Sequence, residues 1–106
     1  MTDFMTGQRY KLKNPVYLWA GKLMPLKAKE PLDSEGLLDP GTTLAVRKVE
    51  VVRAPEMGTV TDVFAEVLTG PQKGKRVNIT WISKTLKNGY TKRDPTVLEP
   101  LGQAPE

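Results

Sequence analysis

An all-β fold is what this sequence predicts: a small five- to six-stranded barrel with a long loop between strands one and two. Three observations predict it. Nine glycines and nine prolines cut the 106 residues into pieces, few of them long enough for a helix. In the longer pieces apolar residues alternate with polar ones, the period of a strand with one buried face. One long β-branched stretch changes the phase of that alternation at its middle, as a bulged strand in a curling sheet does.

Val16, Leu18 and Ala20 alternate with Tyr17 and Trp19 in an early strand, with Trp19 on the outward parity. Gly21 to Leu38 follows as the long connection. It holds Pro25, Pro31 and the apolar run Leu23-Met24-Pro25-Leu26, which either folds back over one barrel mouth or forms a contact surface. Asp39-Pro40-Gly41 is a turn signal. Between Thr42 and Val52, Leu44 and Val46 share one parity, and Val49 and Val51 share the other. A β-bulge at Arg47-Lys48 restores the inward face on both halves. Arg53 to Thr59 reads as a looser connection.

Val63, Ala65 and Val67 then alternate with Asp62, Phe64, Glu66 and Leu68, and the small Ala65 marks a crowded interior point. Thr69 to Gly74, with two glycines, is a hairpin connection. Val77, Ile79 and Trp81 alternate with Arg76, Asn78 and Thr80 in the cleanest strand of the chain. Trp81 and Ile79 are therefore expected in the core, and cutting either back to alanine is expected to cost ~2–5 kcal/mol. A turn of 3₁₀ helix fits Ser83 to Leu86, and Thr96-Val97-Leu98 forms a last short strand between Pro95 and Pro100. Residues 8–101 thus make one domain, with 1–7 and 102–106 as flexible tails.

The chain contains no histidine and no cysteine. That removes disulfides, thiolate nucleophiles, imidazole bases and Cys/His zinc sites. The serines, Ser34 and Ser83, stand in no nucleophile-elbow context. Gly70 to Lys75 has three residues between its glycines where a phosphate loop needs four, and Arg76 where Ser or Thr must bind magnesium. Asp33, Glu35 and Asp39 lack the spacing and the closing glutamate of a calcium loop. The chain reads as non-catalytic, with no cofactor and no metal. No window approaches about 18 apolar residues, and the start MTDFMTGQRYKLK has no apolar signal region, so no membrane partner is expected and the expected location is cytoplasmic.

Charge is the uneven feature. The net +4 hides six bases and no acid from Phe4 to Lys29, and seven bases and no acid from Val67 to Arg93. Between them, Glu30 to Glu66 carries eight acids against three bases. Such runs attract phosphate backbones or an acidic protein surface. Tyr10, Tyr17, Trp19 and Tyr90 are interleaved with the bases and offer rings for stacking on a base or a peptide. Arginine, the preferred phosphate clamp, is scarce in both runs.

From Tyr10 to Leu98 the strand pattern resembles an SH3-like barrel, particularly the bacterial SH3-type modules. PVYLWAG stands as the first strand and the stretch after it as the long loop. DPGTTLAVRKVEVV, VFAEVLTG and GKRVNITWIS are the next strands, SKTL the 3₁₀ turn and TVLEP the last strand. Lys87 to Pro95 is then an insertion with Gly89 and Tyr90 at its tip. The alanine–leucine–tyrosine–aspartate–tyrosine stretch of the eukaryotic domains is missing, so their ligand mode is not carried over. The resemblance implies a binding surface near Tyr17, Trp19, Lys22, Met24, Trp81 and Tyr90. The expected role is a binding module whose partner is another protein. The alternatives are DNA or RNA held by the basic runs, and a structural subunit of a larger assembly. Lys73, Lys75, Arg76, Lys87, Lys92 and Arg93 complete the candidate binding residues with Tyr10.

Overall fold

In the computed structural model, which describes residues 2–27, 29–56, 58–86 and 89–103, the chain is all strand, turn and one short 3₁₀ helix, with no α-helix among the described residues. The first strand is β1 (Gln8–Leu12), where Tyr10 and Leu12 point inward between Arg9 and Lys11. β2 (Val16–Trp19) and β3 (Lys22–Pro25) form a tight hairpin. Trp19 pairs with Lys22, which leaves only Ala20 and Gly21 in the turn, at φ 51° and 76°. Positive φ at both central positions matches the twist of the flanking strands, and Gly21 takes it without strain. The expected long loop thus carries a strand at each end. It supplies β3, and later β4 (Leu37–Leu38), which pairs with the other edge of β2.

β5 (Thr43–Ala54) and β6 (Gly58–Val67) form the longest ladder. Val46 lies opposite Ala65 and Lys48 opposite Phe64, so Arg47 is the extra residue of a bulge where the phase of the sequence places it. The bulge returns Val49 to the core side, but Val51 is 62% exposed. β1 pairs with β5 only from Thr43 to Ala45, so beyond the bulge β5 is paired with β6 alone. This two-stranded arm is covered on one side by Thr91–Lys92, which pack against β6. Arg53 and Thr59 are paired within this arm, where a loose connection was expected. β7 (Arg76–Asn78) follows the Thr69–Gly74 turn, and then come the 3₁₀ helix (Thr80–Ile82), β8 (Lys84–Thr85), β9 (Thr91–Lys92) and β10 (Leu98–Gln103). Eight strands form one curled, half-barrel sheet in the order β10-β1-β5-β6-β7-β3-β2-β4, and β8 and β9 make a separate ribbon. The β3–β7 contact is parallel and spans one pair, Lys22 opposite Asn78. The core inside the curl gathers Leu12, Val16, Leu18, Leu23, Leu44, Val46, Val63, Ala65, Val67, Val77, Ile79 and Leu98.

Several expectations are corrected. Residues 1–7 are not simply a tail: Phe4 is in the core, and the Gly7 N–H donates to the Val46 carbonyl. Gly102 and Gln103 pair with Arg9 and Gln8, so β10 begins at Leu98 and continues past the expected last strand. The 3₁₀ turn falls at Thr80–Ile82, ahead of Ser83–Leu86. The Asn78 side-chain oxygen accepts the Thr80 N–H, and the chain leaves the strand there, so Trp81 turns outward and is 52% exposed. Its expected place in the core does not hold. The region read as an insertion, Lys87 to Pro95, contains β9, which pairs back onto β8 just ahead of it, with Gly89 in the turn between the two. No helix among the described residues is long and apolar enough to cross a membrane.

Tyr10 is also corrected. It is 2% exposed, packs edge-on against Phe4 with ring centroids 5.3 Å apart, and donates its hydroxyl to Gln8 Oε1. Its alternation with Arg9 and Lys11 puts it on the inner face, so it is a core residue and not a binding residue. Burial, and secondarily the Asp3 carboxylate, raise its pKa above the ordinary 10.0, with Arg93 opposing. The folded state thus prefers the neutral phenol. Its contribution to stability is complete below about pH 10 and is lost as pH rises through the raised value. The urea midpoint of the parent should therefore fall more steeply above about pH 10 than that of Tyr10→Phe. Parallel pH profiles for the two proteins would contradict the burial.

Candidate functional site

The outer face of the β2–β3 hairpin carries a set of large, partly exposed side chains placed by the alternation of these strands. Val16, Leu18 and Leu23 point into the core, so Tyr17, Trp19, Lys22 and Met24 point out. Tyr17 is paired with Met24 on one side and with Leu37 on the other, so a row of three large side chains crosses three strands. The 3₁₀ helix packs beside β3 and sets Trp81 over the same face. Lys22 Nζ lies 5.2 Å from the Trp81 ring centroid and 5.8 Å from that of Trp19, so one ammonium serves both indoles.

These residues line a groove of about 580 Å³ walled by Tyr17, Met24, Pro25, Lys27, Lys29, Pro31 and Trp81. It adjoins a hollow of about 250 Å³ that shares Tyr17, Met24 and Pro31 and adds Trp19 and Asp33. The Trp19 indole N–H donates to Asp33 Oδ2 at 2.9 Å, which fixes the ring at 39% exposure. The Glu30 carboxylate accepts the Ser34 hydroxyl.

Tyr17, Trp19, Lys22 and Met24 are thus brought together, and Trp81 joins them. Tyr90 does not line the groove; it precedes β9, and its carbonyl accepts the Leu86 N–H. Lys73 and Lys75 lie in the β6–β7 turn, and Arg76 begins β7. Lys92 faces Lys84 across the β8–β9 ribbon. Arg93 is tied to the Leu98 carbonyl through its guanidinium and to Asp3 through its backbone N–H. Lys87 lies outside the described residues. The two basic runs are therefore spread over several elements, and only the first of them supplies the groove. The groove residues Lys27, Lys29, Pro25, Pro31 and Asp33 were not among the candidates. They lie in or follow the apolar run of residues 23–26, and no periodic pattern in the sequence sets them beside Tyr17.

No family model matches this chain, and no curated protein and no solved structure shows significant similarity to it. What the fold and the surface define is a small all-β protein with an aromatic groove on one outer face of a curled sheet.

Proposed function

We propose that this chain is a non-catalytic binding module that holds a partner protein in the Tyr17–Met24–Trp81 groove. The observation that carries the proposal is the pair of indoles, both exposed and both anchored on rigid elements around one lysine. Large aromatic side chains have few rotamers to lose, and they dominate the energetics of protein contacts. Exposed aromatic and apolar side chains gathered in one patch, unlike single ones scattered over a surface, mark a contact site.

The finer reading of the fold as an SH3-like barrel belongs to the same proposal. It is supported by the bulged β5, the β6–β7 hairpin and the 3₁₀ turn after β7. The extra strands β1, β3 and β4 and the β8–β9 ribbon are then elaborations of that barrel. The binding surface implied by the resemblance includes Tyr17, Trp19, Lys22, Met24 and Trp81, which lie at the groove.

Trp81→Ala should leave stability within about 1 kcal/mol of the parent, because the ring is not part of the core. The same change should abolish capture of the partner. A pull-down from the source cells with parent, Tyr17→Ala and Trp81→Ala, each with and without nuclease, tests this. The expected result is a protein retained by the parent, lost from both variants and indifferent to nuclease. Identical capture by all three would remove the groove from the binding site. Loss of capture on nuclease treatment would favour nucleic acid, stacked on the indoles beside the lysines.

A further inference from the structure

Resting on the groove as the binding site, we infer that its occupant is an extended acidic segment of a partner protein. Its apolar side chains lie on Tyr17, Met24 and the indoles, and its carboxylates meet Lys22, Lys27 and Lys29. Charge at the groove points this way. Among the described residues the ion pairs lie elsewhere: Lys11 with Glu99, Arg47 with Glu66 and Lys48 with Glu50. None of the three groove lysines has a carboxylate within 4.0 Å in that set. Asp33 lines the adjoining hollow, where it accepts the Trp19 N–H and keeps its negative charge. The charged residues that line the larger groove are Lys27 and Lys29, so the groove presents positive charge beside its apolar side chains. A ligand that complements it carries carboxylates next to apolar side chains.

The shape of the floor favours a peptide over a nucleic acid. Tyr17 and Met24, paired across β2 and β3, line the groove with Trp81 beside them, and an extended segment can lie across that pair. Pro25, Pro31 and Met24 make an uneven wall suited to side chains rather than to flat bases. Lys22 also lies within cation–π reach of both indoles, where a stacked base would have to compete with it.

A randomised dodecapeptide library displayed on phage and panned against the whole chain tests this, with Trp81→Ala as counter-selection. Selected peptides should be enriched in aspartate and glutamate beside apolar positions. At low salt they should bind about tenfold more weakly to the K22Q/K27Q/K29Q variant, as expected for a few partly exposed ion pairs. Lys27 and Lys29 lie outside the strands, so K27Q/K29Q serves should Lys22→Gln disturb the hairpin. Trp81-dependent peptides without acid enrichment would overturn the acidic ligand and leave the groove standing. Failure to select any Trp81-dependent peptide would overturn both. Oligo-dT or oligo-U binding more tightly than the best peptide, and weakened by the lysine changes, would assign the groove to nucleic acid.

Discussion

Gly89→Ala should break the attachment of the β8–β9 ribbon to the sheet. Gly89 has φ +80°, and a Cβ built there would stand 1.8 Å from the Thr59 carbonyl oxygen and 3.0 Å from its carbon. Both are backbone atoms of β6, so no side-chain rotation relieves the contact. A left-handed non-glycine residue alone costs about 1–2 kcal/mol. Displacing the ribbon adds the loss of the Thr91 hydroxyl bond to the Thr61 carbonyl, in a place where both residues are fully buried. The total expected is about 3 kcal/mol or more, or local detachment of the ribbon with the sheet intact. Urea melts give the first outcome. Backbone amide shifts confined to Thr59–Thr61 and Thr91 give the second. The 3₁₀ helix leads directly into β8, so tryptophan emission from Trp81 should move as well. A variant with the parent's melt and the parent's spectra would show that Gly89 is not wedged against β6.

Ile79→Ala should cost ~2–5 kcal/mol, while Trp81→Ala costs less than about 1 kcal/mol. Ile79 is completely buried, and its N–H donates to the Val63 carbonyl just past the end of β7. Truncation leaves a cavity between β6 and the 3₁₀ turn that the closely packed neighbours Val63 and Ala65 cannot fill. Two residues further on, Trp81 buries too little for a comparable loss. Denaturant melts of the two variants side by side check the contrast. Equal losses would return Trp81 to the core.

The same two residues show how far alternation can be read. Val77 and Ile79 obey it, and extending the count by two places Trp81 inside. The count fails because the strand stops at Asn78, whose side chain bonds the Thr80 N–H and starts the turn. A side-chain-to-backbone bond of this kind has no periodic signature. The bulge was legible because it does have one, the phase change at Arg47-Lys48. β1 was hidden because Tyr10 and Leu12 are its two core residues, set among Gln8, Arg9 and Lys11, and a strand dominated by charge reads as surface. β3 was hidden because its turn lacks the Asn-Gly or Asp-Gly pair that announces a hairpin.

At the groove, Tyr17 and Trp19 were accessible from β2 parity, and Lys22 and Met24 only from the resemblance. Trp81 was implied by the resemblance and opposed by its parity, and the 3₁₀ turn reconciles the two. Lys27, Lys29 and Pro31 come after β3, in a stretch that no pattern ties to Tyr17, and only the folded chain sets them beside it.

The Ala20-Gly21 corner has a consequence of its own. Side chains along a strand come in two alternating sets, and the length of this bend decides which set of β3 each side of the sheet receives. One residue inserted just after this corner, with the two-residue turn kept so that the β2–β3 pairing slips by one, would exchange Met24 for Leu23. A thioether would enter the interior and a leucine would stand beside Tyr17. The inside and outside of this part of the molecule are chosen by counting, two residues and no more, before any side chain's preference for oil or water is consulted.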